Sequence, residues 1–162
     1  MAAPQTWTFL PNPDATEALA VRLAPHLRAG DTLLLEGPIG AGKTAFARAV
    51  ITFLQKQTGV PPEDVPSPTF TLVQTYAAGS LDIWHADLYR LSDPQEVMEL
   101  GLEDAFETAL CLVEWPDRLG DDRPIDAASL CFTPQGAGRR LDLRGTGPLV
   151  QRLVPFLQPV TA

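Results

Sequence analysis

Residues 37–44, Gly-Pro-Ile-Gly-Ala-Gly-Lys-Thr, constrain this chain most, because they match the pattern G-x-x-x-x-G-K-[ST] in full. Given the composition of the chain, about 0.001 such matches are expected by chance. Glycines allow backbone amides to approach an anion, the lysine supplies a point charge, and the final hydroxyl is placed to ligate Mg²⁺. The motif predicts a phosphate-binding loop followed by a helix whose positive end faces the anion.

The segments on either side of this loop support that interpretation. Residues 32–35 form a continuous apolar run, which is typical of a strand buried on both faces of a parallel sheet. Residues 43–57 have helical spacing, with Phe46, Val50 and Phe53 on one face. A buried strand therefore precedes the loop and a helix follows it.

The rest of the chain alternates between strand and helix patterns, which indicates an α/β fold. We predict a P-loop NTPase-like three-layer sandwich with a mostly parallel central sheet flanked by helices, in a single ATPase domain over residues 1–162. Before the loop we predict a strand at 7–10 and a helix from a capping box at Asp14 and Glu17 to about His26. After it come a proline-rich loop at 61–68, strands at 69–76 and 80–86 with a turn at 78–79, and a helix starting at 93–94. The last elements are a strand at 109–113, a strand pair at 129–132 and 141–143, and a closing helix at 148–157.

Charge and composition exclude several classes of protein. With Lys+Arg 12 and Asp+Glu 20, the net charge is −8, which argues against a stand-alone nucleic-acid binder. No apolar run reaches 18 residues, and residues 1–13 lack the pattern of a secretory signal. Cys111 and Cys131 are isolated thiols. We therefore expect a cytoplasmic, disulfide-free protein without a membrane partner.

Two carboxylates follow predicted strands and are candidates for the chemistry of a bound nucleotide. Glu114 comes directly after strand 109–113, at the sheet edge where ligands of open α/β sheets bind, and suits Mg²⁺. Asp87 follows the strand at 80–86 and suits the same task. The alternatives are a surface glutamate that starts a loop and a solvated strand-end aspartate. We expect His85 to pack or bond locally.

Other polar residues have two interpretations each. Ser67 and Thr69 lie on a stiff proline loop, which suits a switch that senses the γ-phosphate, although a plain turn before a strand is the alternative. We expect the basic cluster of Arg139, Arg140 and Arg144 to make local ion pairs rather than a tRNA site. Neither lysine lies in the guanine-reading pattern N/T-K-x-D, so ATP is preferred over GTP.

Four sequence blocks together resemble the bacterial TsaE (YjeE) family, in order and spacing over about residues 9–119. The blocks are the loop at 37–44, Ser-Pro-Thr-Phe-Thr-Leu-Val at 67–73, His-x-Asp-Leu-Tyr-Arg-Leu at 85–91 and Leu-Val-Glu-Trp-Pro at 112–116. The resemblance implies a small P-loop ATPase that binds ATP and Mg²⁺ and acts with the TsaB–TsaD pair. That pair installs threonylcarbamoyl on adenosine 37 of tRNAs that read ANN codons, so this chain would meet tRNA only through its partners.

The resemblance also implies residue roles, matched position by position. It assigns catalysis to Lys43, Thr69 and Asp87, and Mg²⁺ ligation to Thr44 and Glu114. It assigns nucleotide binding to Gly37, Ile39, Gly40, Ala41, Gly42, Lys43, Thr44 and, for the adenine, Thr16 in the turn at 14–16. Trp115 would lie beside the metal site, where packing alone is an alternative role. The chain departs from the family at Pro38, often acidic, which removes an amide from the loop, and at Ala45, often a hydroxyl residue.

Two other functions remain open from the sequence. A small-molecule kinase uses the same loop, but such kinases need arginines on a lid, and residues 116–133 contain only Arg118 and Arg123. A nucleotide-gated scaffold that binds ATP with negligible hydrolysis is the third candidate.

Overall fold

A computed structural model describes residues 6–59, 72–91, 93 and 95–157. Within these residues, seven strands form one sheet and five α-helices pack around it. The strands are β1 (Thr6–Leu10), β2 (Thr32–Glu36), β3 (Val73–Ala78), β4 (Leu81–Asp87), β5 (Leu110–Glu114), β6 (Ala128–Gln135) and β7 (Gly138–Arg144). The helices are α1 (Pro13–Leu23), α2 (Lys43–Gln57), α3 (Gln95–Glu99), α4 (Leu102–Thr108) and α5 (Pro148–Leu153), with 3₁₀ turns at Ala24–His26, Pro116–Asp122 and Val154–Phe156.

The strand order is β1-β7-β6-β2-β5-β4-β3, with a parallel centre. Strands β6, β2, β5 and β4 are parallel to one another, whereas β7 and β3 pair antiparallel at the two sides and β1 pairs antiparallel with β7. In this register Glu114 lies opposite Leu35 on one side and Asp87 on the other. The carboxyl ends of β2, β5 and β4 therefore meet at one edge of the sheet, where α/β proteins bind ligands.

The side chains of β2 and β5 alternate between two apolar layers, as the period of a strand requires. Leu33 and Leu35 face a layer formed with α1, α2 and α5. Leu34 and Val113 face a second layer formed with α4 and the turn at Pro116–Asp122. The sheet is thus covered on both faces, which confirms the predicted three-layer α/β sandwich with a mostly parallel centre.

The elements around the loop agree with the sequence predictions to within a residue, since β2, α2 and β5 coincide with segments 32–35, 43–57 and 109–113. The predicted cap of α1 is wrong. Helix α1 begins at Pro13, and the side chain of Asn12, not Asp14, accepts a hydrogen bond from the amide of Ala15. Pro13 suits the first helical position because an N–H there would have no partner within the helix, so proline loses nothing by lacking one. The cap is therefore the residue before Pro13, which is Asn12.

Prolines also end α1 and the closing helix earlier than predicted. Helix α1 ends at Leu23 and continues as a 3₁₀ turn, because Pro25 cannot donate the next helical hydrogen bond. The closing helix likewise ends at Leu153 before a 3₁₀ turn that contains Pro155. The helix predicted at 93–94 is α3, whose first amide, that of Gln95, bonds to the Asp93 carboxylate.

The remaining differences lie in strand ends and one missed helix. Strands β3 and β4 are joined by a turn at 79–80 rather than 78–79, and residues 61–71 of the predicted loop and strand lie outside the described residues. Strands β6 and β7 extend beyond the predicted pair, and α4 was not predicted. Across the described ranges, every helix is too short or too polar to cross a bilayer.

Candidate functional site

A cleft of about 450 Å³ opens at the carboxyl edge of β2, β4 and β5. It lies between the glycine-rich loop, the start of α2 and the two strand ends that carry carboxylates. Its lining residues are Ile39, Gly40, Gly42, Lys43, Thr44, Ala45, Asp87, Tyr89, Glu114 and Trp115. The structure therefore brings most of the predicted site residues to one place.

Three residues assigned to nucleotide binding do not line this cleft. Gly37 contributes its carbonyl oxygen to Lys43 from the base of the loop. Ala41 is buried and packs in the apolar core. Thr16 lies inside helix α1 rather than in a turn, because the helix begins at Pro13. Thr16 is buried, and among the described residues its hydroxyl has no hydrogen-bond partner.

Lys43 is the first residue of α2 and is only 5% exposed. Its Nζ donates to the Gly37 carbonyl oxygen at 2.6 Å and lies 3.4 Å from the centroid of the Trp115 ring. Burial lowers the pKa of Lys43 below its usual value, and the negative charges of Glu114 and Asp87 partly oppose that shift. An anion bound beside the ammonium would therefore stabilise its charged form.

Trp115 contributes an aromatic wall to the same cleft. Its backbone has a φ of 58°, a left-handed conformation that is uncommon for a bulky residue. This conformation follows the end of β5 and places the ring over Lys43, where the ring face attracts a cation. Tyr89 packs against Trp115 with 4.9 Å between ring centroids. Trp115 thus forms a cation–π contact with Lys43 in addition to packing, which was the alternative role considered for it.

Glu114 is the end of β5 and is 2% exposed, so its carboxylate depends on protein partners. Thr44 Oγ1 donates to one carboxylate oxygen at 2.7 Å, and His85 Nε2 lies 2.7 Å from the other. His85 on β4 is fully buried, and its Nδ1 has no partner within the described ranges. His85 therefore bonds locally, as expected, and the residue it bonds is the candidate metal ligand.

Asp87 ends β4 directly beside Glu114 and is 5% exposed. Its Oδ1 accepts a hydrogen bond from the Tyr89 amide at 3.0 Å, and its own amide donates to the Leu72 carbonyl. These backbone contacts hold the carboxylate at the cleft. Ser67 and Thr69, predicted for a switch segment, lie outside the described residues, so their roles stay predictions.

Hydroxyl and carboxylate oxygens are the ligands that Mg²⁺ prefers, so the adjacent Thr44 and Glu114 fit such an ion. Within the described part of the chain, no group of three or more His, Cys, Asp and Glu side chains is arranged to hold a metal. A site of this kind suits Mg²⁺ that arrives with a nucleotide, because Mg²⁺ commonly takes one or two protein ligands and completes its shell with phosphate oxygens and water.

The basic cluster divides into three different environments. Arg140 pairs with Asp142 at 3.1 Å, as predicted, and stacks over Trp7. Arg144 is exposed. Arg139 instead donates to backbone carbonyls of the glycine-rich loop. No sequence signal identified this contact, because the two segments are about a hundred residues apart.

Both cysteines are unpaired, in agreement with the sequence. Burial raises the pKa of the Cys111 thiol to about 12. Burial, together with the neighbouring Glu36 carboxylate, also raises that of Cys131 to about 12. Both remain thiols at neutral pH, so neither is an activated nucleophile.

Comparison with known proteins finds one family that this chain resembles over most of its length. A family model described as "Threonylcarbamoyl adenosine biosynthesis protein TsaE" matches residues 10–141. Proteins named "tRNA threonylcarbamoyladenosine biosynthesis protein TsaE" are 44% identical in Rickettsia felis, over 67% of this chain and 61% of that one, and 36% identical in Bacillus subtilis, over 80% and 78%. The chain thus spans about six-tenths of the length of the Rickettsia felis relative.

A solved structure agrees with the sequence relatives. The crystal structure of Bacillus subtilis YdiB superposes with a TM-score of 0.76 at 29% identity, over 97% of this chain and 95% of that one. The family match includes the loop, both carboxylates, β6 and the first part of β7, since it ends at residue 141. The chain belongs to the TsaE family.

Proposed function

We propose that this chain is a Mg²⁺-dependent ATPase that supports threonylcarbamoylation of adenosine 37 in tRNA, together with a TsaB–TsaD-like complex. The observation that carries the proposal is the convergence of Lys43, Thr44, Asp87 and Glu114 on one cleft. A cation, a hydroxyl and two carboxylates around a glycine-rich loop are the groups that phosphoryl transfer from a Mg-nucleotide requires. The names of the relatives supply the pathway.

The loop would bind the phosphates of ATP. Backbone amides between Gly37 and Thr44 would approach the phosphate oxygens, and the Lys43 ammonium would contact the β- and γ-phosphates. Lys43 is already buried against the Trp115 ring, so phosphate binding would compensate a charge that its surroundings disfavour. Thr16, which is buried with its methyl group close to Gly42, stays the residue proposed to contact the adenine.

Thr44 and Glu114 would hold Mg²⁺, which when bound neutralises negative charge on the phosphates. The hydrogen bond between them shows that the two oxygens already lie at contact distance. His85 would keep the second oxygen of Glu114 occupied and so orient the carboxylate. Thr44, Glu114 and His85 belong to α2, β5 and β4, so hydrogen bonds already join the loop helix to two strand ends at the proposed ion site.

Asp87 would orient the attacking water and accept its proton. It ends the strand beside Glu114 and lines the cleft, and a buried carboxylate there can hydrogen-bond to a water facing the γ-phosphate. Thr69 would act with it as part of the switch segment. The net charge of −8 supports a division of labour in which partner subunits hold the tRNA.

The test is ATP hydrolysis by this chain, alone and with purified TsaB–TsaD. We expect stimulation by the pair, and a loss of at least about 100-fold in Lys43→Ala, because a cation at the transferring phosphate is removed. Lys56→Ala is the matched control, since Lys56 is the other lysine and is exposed at the end of α2. Glu114→Ala should raise the Mg²⁺ concentration required.

The same measurements separate the competing functions. Asp87→Ala should keep ATP binding and lose about 100-fold in hydrolysis. If that variant still supports the modification of tRNA, the chain is a nucleotide-gated scaffold and hydrolysis is not its function. If the γ-phosphate instead appears on an added small-molecule hydroxyl, the chain is a kinase. Absence of both binding and stimulation would overturn the proposal.

A further inference from the structure

Arg139, near the start of β7, contacts the glycine-rich loop but is not one of the residues that line the cleft. Its Nη1 donates a hydrogen bond to the carbonyl oxygen of Ala41 and lies 3.5 Å from that of Gly40. Among the described residues, no carboxylate lies within ion-pair distance of this guanidinium. Its charge is therefore directed at the loop rather than at a neighbouring acid.

This contact sets the direction of one loop amide. A peptide group is planar, so its C=O and N–H point in opposite directions. When Arg139 holds the Ala41 carbonyl on the hairpin side, the N–H of Gly42 in the same peptide group points away from the hairpin. Gly42 lines the cleft, whereas the preceding amide, that of Ala41, is already bonded to the Pro38 carbonyl at 3.1 Å.

The close approach also explains the glycine at position 42. Gly42 has a φ of 106°, which L side chains rarely adopt, and a Cβ there would lie 2.5 Å from Arg139 Nη1. The guanidinium occupies the space that the missing side chain leaves. Loop and hairpin are thus fitted to each other at this position.

The element that carries Arg139 is held firmly in the sheet. Its backbone pairs with Leu10 of β1 on one side and with Pro134 of β6 on the other. The preceding residue, Gly138, has no room for a side chain, because a Cβ would lie 2.5 Å from the Leu10 carbonyl oxygen. A guanidinium on such a rigid element can hold the loop in one conformation before a ligand arrives.

We propose that Arg139 is a positioning residue for the phosphate loop, which it holds through the Ala41 carbonyl so that the Gly42 amide faces a bound phosphate. As a statement about ATP, this rests on the proposed function. The loop contact itself does not require a nucleotide. The permanent charge of the guanidinium adds a second cation beside the loop, in addition to Lys43, which also favours an anion there.

The test compares Arg139→Ala with Arg140→Ala, a neighbour on the same strand that pairs with Asp142 instead of the loop. In the nucleotide-free protein, amide hydrogen exchange over residues 38–44 should become at least several-fold faster in Arg139→Ala and stay unchanged in Arg140→Ala. The Kd for Mg-ATP should rise about tenfold in Arg139→Ala, because a charged hydrogen bond that preorganises the site is lost. At saturating ATP, kcat should stay within about threefold, as expected for a residue that does not touch the reacting atoms.

Each outcome decides the inference separately from the proposed function. Equal exchange and equal Kd in the two alanine variants would overturn it. If wild-type protein binds no ATP, the proposed function fails, and the exchange measurement alone still decides whether Arg139 holds the loop. Should Arg139→Ala not fold, Arg139→Lys, which keeps the charge but has a single donor group, is measured in its place and should show a smaller effect in the same direction.

Discussion

At the scale of single residues, the site depends on how one buried carboxylate is satisfied. Glu114 uses one oxygen for Thr44 and the other for His85, each at 2.7 Å. A carboxylate oxygen is satisfied by a donor, and the His85 tautomer with its proton on Nε2 supplies one. Sequence motifs identified Thr44 and Glu114, but His85 was expected only to bond locally. Its partner was not predictable, because 29 residues separate it from Glu114.

His85 should therefore control the response to Mg²⁺. In His85→Ala, the Glu114 carboxylate loses its orienting donor, and we expect the Mg²⁺ concentration for half-maximal hydrolysis to rise about tenfold. His85→Gln, which keeps an N–H donor, should recover much of the difference. The control is His26→Ala, since the other histidine stacks on Phe156 instead. Mg²⁺ titrations that coincide for wild type and His85→Ala would contradict this role.

At the scale of elements, proline and asparagine decided where helices begin and end. The capping-box pattern predicted Asp14 as the cap of α1, but Asn12 is the residue whose side chain caps the helix. Pro13 lies between them and occupies the first helical position, which makes Asn12 the cap. Helix α4 was missed because it has seven residues, too few for a clear apolar period.

The cap assignment predicts a difference between two neighbouring substitutions. Asn12→Ala should lower the free energy of unfolding by about 1 kcal/mol, because the Ala15 amide loses its side-chain acceptor. Asp14→Asn should cost about 0.3 kcal/mol, since only a favourable charge at the positive helix end is removed. Urea denaturation of both variants measures these values. A larger loss at Asp14 would support the capping box instead.

At the scale of the whole molecule, the last helix fastens distant parts of the chain together. Arg152 on α5 donates to Asp31 at 2.6 Å and to the His26 carbonyl at 2.9 Å. Asp31 immediately precedes β2 and also accepts from the Arg28 amide. The ion pair closes 121 residues of chain and holds the segment that enters the central strand. The Asp31 carboxylate is largely buried, so removal of Arg152 would leave its charge without a partner.

Arg152→Ala should accordingly lower the free energy of unfolding by about 2 kcal/mol, as an uncompensated charge remains at Asp31. Arg22→Ala is the matched control, because Arg22 also contacts the C-terminal segment, at the Phe156 carbonyl, but is exposed. We expect a loss below about 0.5 kcal/mol there. Urea denaturation compares the two variants. Equal losses in the free energy of unfolding would show that the ion pair with Asp31 contributes no more than an exposed surface contact.

Features that depend on neighbouring residues could be predicted without knowledge of the fold. The phosphate loop at 37–44, the strand before it, the helix after it and the carboxylates at two strand ends all follow from residue spacing, because local geometry dictates that spacing. Residue order and type also sufficed for the family resemblance, which the comparisons confirm.

Which distant groups meet at the site follows from the fold and not from any local pattern. Thr44 and Glu114 are 70 residues apart, and Arg139 and Ala41 are 98 apart. Such contacts depend on strand order and register: β5 and β6 flank β2, and the β6–β7 hairpin lies beside the loop. Local patterns carry no information about which strands become neighbours, since that choice reflects the free energy of packing the whole sheet between its two helical layers.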